Sequence, residues 1–173
     1  MIKNLVRALP VICLAAAALP AAAQSASGSG SITVIRPLTV TKNRDMAFGT
    51  IVRPTSGTGS VVLTAAASTA RSTTGGAVAL ASTTATSAQF TLDGEGAQLV
   101  SVVIPAEFNM TSGGNTLTVT TSNNLTNAGA VALDGSLGGA GSTVFYVGGS
   151  IPIANDTATG TYNGSFTVTA SYN

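Results

Sequence analysis

Short runs in which Val, Ile, Leu or Phe alternate with Thr, Ser or Asn, broken by Gly, Asn or Pro every 8–15 residues, decide what this chain can fold into. A β-strand turns successive side chains to opposite faces, so such alternation builds one apolar face and one polar face. A helical bundle would need charged residues for its solvated faces. Here they make up only 8% of the chain, against about 25% in an ordinary soluble domain. The pattern predicts strands over 60–64, 77–81, 87–92, 99–104, 115–120, 131–133, 143–147, 151–153 and 161–173. A further short strand is expected over 46–51, with Gly49 as a bulge. Lys42–Asp45, Arg71–Gly76, Asp93-Gly94-Glu95-Gly96 and Ser112–Gly114 read as turns or loops, and Gly-rich breaks are expected at 138–141 and 148–149. Ala65–Ala70, flanked by Ser and Thr, also reads as a turn. Nine or ten short strands with such punctuation make an all-β, antiparallel sandwich.

The first 23 residues have the form of an export leader. Lys3 and Arg7 supply the positive start, Ala8–Leu19 the apolar stretch, and Ala21-Ala22-Ala23 a small-residue cleavage site before Gln24. Pro10 and Pro20 interrupt a stretch already too short to span a bilayer, and no later segment is long and apolar enough to do so. Cys13 is the only cysteine and falls inside the leader, so the exported chain meets an oxidising compartment without disulfides. After cleavage the expected organisation is an N-terminal extension, residues 24–36, followed by one sandwich domain over 37–173. Gln24–Ser31 contains little but Ser, Ala and Gly and has almost nothing to bury by itself.

Chemistry finds little footing. No His is present, which removes His-based triads and His-ligated metals, and a formal net charge of +1 offers no footprint for nucleic acid. Asp93 and Glu95 form the only close acidic pair, too few oxygens for calcium and better read as an acidic β-turn. Gly28-Ser29-Gly30 lacks the strand–turn–helix setting of a nucleophile elbow. Gly148-Gly149 is followed by neither Lys nor a helix and reads as a bulge or turn. Asn109-Met110-Thr111 and Asn124-Leu125-Thr126 fit glycosylation acceptors but carry little weight in a bacterial-looking chain. The expectation is a protein that is not an enzyme and holds no cofactor or metal.

The two chain ends carry more information. The last segment places Tyr162, Phe166, Val168, Ala170 and Tyr172 on one face, with Gly160 fourteenth from the end and Tyr172 penultimate. It resembles the C-terminal strand motif of chaperone–usher pilus subunits. Leu38-Thr39-Val40, Asp45-Met46-Ala47-Phe48-Gly49-Thr50-Ile51, Val147-Gly148-Gly149-Ser150-Ile151 and the Gly160–Asn173 pattern also resemble a family of uncharacterised exported bacterial domains. That resemblance covers most of residues 32–173. Many chaperone–usher pilins carry a disulfide near the first strand; this chain has none.

The resemblance implies an immunoglobulin-like, pilin-like sandwich lacking one strand, with a groove beside the C-terminal strand formed by Gly160, Tyr162, Phe166, Val168, Ala170 and Tyr172. A periplasmic chaperone would fill the groove first and the extension of the next subunit afterwards, delivered by an outer-membrane usher to a filament at the cell surface. In the extension, Ala26, Gly28, Gly30, Ile32 and Val34 share one face and grow from small to large. Thirteen extended residues reach about 40 Å, enough to cross a neighbouring sandwich. The other reading of Ile32–Arg36 makes it the domain's own first strand behind a loose leader. The function expected is a fimbrial subunit that self-associates by strand donation and supports adhesion. The alternative is a monomeric exported sandwich that binds carbohydrate or another surface ligand. Cleavage is expected after Ala23. Mass spectrometry of the exported protein checks this, and an intact Met1 or a lipid on Cys13 refutes the leader.

Overall fold

The computed structural model describes residues 23–125 and 129–173. The expected leader, residues 1–23, falls outside them apart from Ala23. The chain divides into two units, Met1–Thr33 and Val34–Asn173. In the first, the described residues, 23–33, are exposed and form no strand.

The second unit is all-β. Its strands are β1 (Thr39–Arg44), β2 (Ile51–Val52), β3 (Thr58–Leu63), β4 (Arg71–Thr74), β5 (Val78–Ala79), β6 (Ala88–Glu95), β7 (Leu99–Val103), β8 (Glu107–Ser112), β9 (Asn115–Asn123), β10 (Ala130–Ala132), β11 (Ala140–Ala154) and β12 (Thr169–Tyr172). All pairings are antiparallel. One large sheet runs β1-β6-β11-β3-β4, with β9 on β11 and β8 on β9; a second runs β10-β7-β12; β2 and β5 form a small pair. The architecture is an antiparallel β-sandwich, as the alternation requires.

The longest strand organises the rest. β11 pairs with β6 over Ala140–Val147 and with β3 over Gly149–Ala154, and takes β9 across its middle. The glycines expected to break it, Gly148 and Gly149, lie inside it. A Cβ at Gly148 would strike the Leu63 carbonyl, and one at Gly149 would come within 2.8 Å of the Thr120 carbonyl. These glycines therefore let two neighbouring backbones approach where the partner changes from β6 to β3.

Two apolar clusters result. Ala88, Phe90 and Leu92 of β6 and Phe145 and Val147 of β11 meet Val100 and Val102 of β7 across the sandwich, with Leu133 beside them. Phe90 and Phe145 stack at 5.3 Å, an arrangement that adds about 0.5–1.5 kcal/mol beyond burial. The second cluster gathers Phe48, Val61, Leu63, Val119, Ile151 and Ile153.

Several local expectations change. The 93–96 turn begins later, because β6 continues through Asp93 to Glu95 and the reversal falls at Gly96-Ala97, where Ala97 has a positive φ. The 71–76 loop contains β4, whose Thr and Ser pair with β3. The strand expected over 46–51 is one bridge, Ala47 to Thr86, and then, past Gly49 with its positive φ, the pairing of Ile51 with Ala79 in the same antiparallel sense but a displaced register, so Gly49 marks a bulge-like irregularity. There Arg71 donates to the Phe48 and Leu80 carbonyls, 2.7 Å each. β8 was not expected, although Phe108 and Met110 alternate along it. The strand expected over 161–173 is formed only over Thr169–Tyr172, because 164–168 has no paired neighbour among the described residues.

The two-faced character of β11 is testable by denaturation. Phe145→Ala, at a fully buried site, should cost about 3–5 kcal/mol. Val144→Ala, 41% exposed on the opposite face, should change stability by about 0.5 kcal/mol or less.

Candidate functional site: an open seam and the cluster at its end

Residues paired across a ladder share a face. Val40 of β1 pairs with Leu92, which is fully buried, so Val40 also points inward; yet it remains 36% exposed. On the opposite sheet Tyr172 pairs with Val100 and Ala170 with Val102. Val100 and Val102 are buried, whereas Tyr172 and Ala170 are only partly so. Each sheet ends here. Among the described residues β1 has β6 as its one neighbour and β12 has β7 as its one neighbour, and β1 and β12 approach each other. Between these two free edges the first cluster is left incompletely covered. Its partly buried border includes Leu38, Met46, Phe166, Val168, Ala170 and Tyr172.

The seam also has unused main-chain groups. Asn173 N–H donates to the Leu99 carbonyl at 3.0 Å. Antiparallel alternation then turns the N–H and C=O of Thr169 and Ser171 toward β7 and those of Ala170 and Tyr172 away from it, along the free edge. An apolar slot beside a row of such groups is the form that strand addition uses.

Of the residues expected on this strand, Phe166, Val168, Ala170 and Tyr172 line the seam. Phe166 closes one end, its ring 4.9 Å from Phe108 and 6.1 Å from Phe90. Gly160 and Tyr162 do not join them. They precede the bridge between Asn163 and Thr111, and the Tyr162 hydroxyl folds back to donate to the Ala158 carbonyl at 2.9 Å. In the expected donor, Ala26, Gly28, Gly30, Ile32 and Val34 belong to no strand, and Ile32 and Val34 are 87% and 83% exposed. Ile32–Arg36 is therefore not the first strand of the domain, which starts at Thr39.

The other end of the seam holds residues that the sequence did not single out together. The Glu95 side chain is only 4% exposed. One carboxylate oxygen accepts from the Gly138 N–H and the other from the Arg36 N–H at 3.2 Å, with the Arg36 guanidinium 3.6 Å away. That guanidinium also donates to the Gly138 carbonyl at 3.2 Å. The Tyr172 hydroxyl accepts from the Glu95 N–H at 2.7 Å and donates to the Arg36 carbonyl at 3.0 Å. Gly94 makes room, since a Cβ there would collide with that hydroxyl. Arg36, expected as the last residue of the extension, is thus bonded into the domain. The carboxylate is occupied by N–H donors and a cation, and the described residues contain no group of three His, Cys, Asp or Glu able to hold a metal.

The Gly138 N–H above all, then the Arg36 N–H and the Arg36 charge, holds the Glu95 carboxyl below its ordinary value, with burial opposing them. A carboxyl lowered in the folded state stabilises above its unfolded pKa of about 4.5, and that contribution is lost as pH falls through the folded value. Wild-type melting temperature should therefore fall more steeply in acid than that of Glu95→Gln, which should melt lower at neutral pH and converge with wild type in acid. Parallel melting curves across pH 7 to about 3 would refute the role given to this carboxylate.

No curated protein and no solved structure matches this chain. One domain family does, over residues 38–172, a span that begins at the seam residue Leu38 and ends at Tyr172. The chain belongs to that family, the domain of unknown function DUF4402.

Proposed function

We propose that this chain is an exported structural subunit of a bacterial surface filament, assembled by donation of the N-terminal tail of one copy into the seam of the next, and supporting adhesion. The observation that carries the reading is the seam: inward-facing Val40, Ala170 and Tyr172 stay partly exposed beside a buried core, with no strand among the described residues bridging β1 and β12. The tail supplies the complement. Its residues 24–35 form no strand, and the alternating Ile32 and Val34 are exposed. Each such side chain would gain about 1.5–3 kcal/mol if fully buried, and the free edge of β12 offers hydrogen bonds besides. In this reading a periplasmic chaperone covers the seam in transit and an outer-membrane usher exchanges it for the incoming tail.

The test substitutes Ile32→Asp in the tail. A charge entering the seam without a partner is costly, so filaments seen by electron microscopy for wild type should be absent. The melting temperature of the isolated domain should shift by about 2 °C or less, because the substituted residue is exposed there. If both chains are equally stable monomers that ignore an added peptide of residues 24–35, the sandwich is complete by itself and the monomeric binding-module reading takes over.

A further inference from the structure

We propose that the Glu95 cluster is a tether that fixes the root of the N-terminal tail to the last strand of the domain. Its purpose rests on the donor-strand reading above; its geometry stands apart from it.

From the N-terminal side, Arg36 is the first residue hydrogen-bonded to another described residue, and both its main-chain groups are taken although it belongs to no strand. Its N–H is held by the Glu95 carboxylate, its C=O by the Tyr172 hydroxyl, and its guanidinium by the Gly138 carbonyl. Pro37 follows, with no N–H to offer a ladder. The first ladder pair of β1 comes only afterwards, Thr39 with Asp93. β1 is an edge strand with one neighbour and an irregular register between Lys42 and Arg44. Tension applied at its end would open its pairs one at a time. The cluster puts charge-assisted hydrogen bonds, roughly twice as strong as neutral ones, ahead of that ladder.

Tyr172 gives the tether a second consequence. Its ring borders the seam within the first apolar cluster, and its hydroxyl holds Arg36. One side chain thus belongs both to the acceptor seam of a subunit and to the anchor of its donor tail. A strand lodged in the seam would limit the motion of that ring and steady the hydroxyl on Arg36, so a subunit that has accepted a tail holds its own more firmly.

The test uses the mature chain carrying Tyr172→Phe, which removes one oxygen and keeps the ring, and separately Glu95→Gln. Residue-resolved amide hydrogen exchange should show Arg36 exchanging at least about tenfold faster in both variants, with Phe145 and Val147 at wild-type rates. No change at Arg36, or equal acceleration in β11, overturns the tether. Subunit loss from filaments in mild denaturant should be about tenfold faster for Tyr172→Phe than for wild type. Equal loss from both filaments overturns the tether while leaving the donor-strand reading intact. Failure of wild type to form filaments counts against the donor-strand reading instead, and hydrogen exchange at Arg36 still decides the tether.

Discussion

The fold depends on one strand keeping its hydrogen bonds while it changes partners. β11 serves β6, then β3, and takes β9 across the middle. Its inward residues fall into both apolar clusters, Phe145 and Val147 in one and Ile151 and Ile153 in the other. The change of partner needs backbones closer together than any side chain allows, which Gly148-Gly149 provides. Few bulky residues are available to this chain, so two small clusters threaded on one strand do the work that a single large core does elsewhere. With Cys13 the single cysteine of the sequence, no disulfide within the chain supports them.

Sandwich edges are where such a fold is vulnerable, because a terminal strand exposes main-chain groups and half of its apolar face. Here the two vulnerable edges adjoin. β1 ends one sheet, β12 ends the other, and the first apolar cluster shows between them. The C-terminal segment keeps its alternation through Phe166 and Val168 without pairing there, so packing alone orders those residues. A segment held that way gains from a neighbour strand more than one already paired on both sides.

The polar cluster at the seam's end follows a different logic. A carboxylate with a side chain only 4% exposed is costly unless its lone pairs are met. Two N–H donors and a guanidinium meet them, and the buried polar side-chain atoms among the described residues all have partners. Each donor comes from a different part of the chain: the residue before Pro37, and the Gly-rich loop before β11. The Tyr172 hydroxyl ties the penultimate residue to Arg36 and to the main chain of Glu95. The three segments enclose Glu95 together.

Alternation along the sequence was enough to determine the class of fold, most strand positions and the inward phase of the last segment. All of these follow from a period of two that local residues set by themselves. The inward assignments of Phe166, Val168, Ala170 and Tyr172 are of that kind. Where a strand stops was less legible, because stopping depends on whether a neighbour is present: β6 runs past Asp93 since β11 continues beside it, and 164–168 is unpaired since no strand among the described residues does. Glu95 was the least legible. It sits between two glycines, in the phase of its strand that ordinarily faces solvent, and read locally as a turn. Its burial comes from Arg36, 59 residues earlier, and from Gly138, 43 residues later. No local pattern records that meeting, because only the closed sandwich brings those segments within hydrogen-bond range.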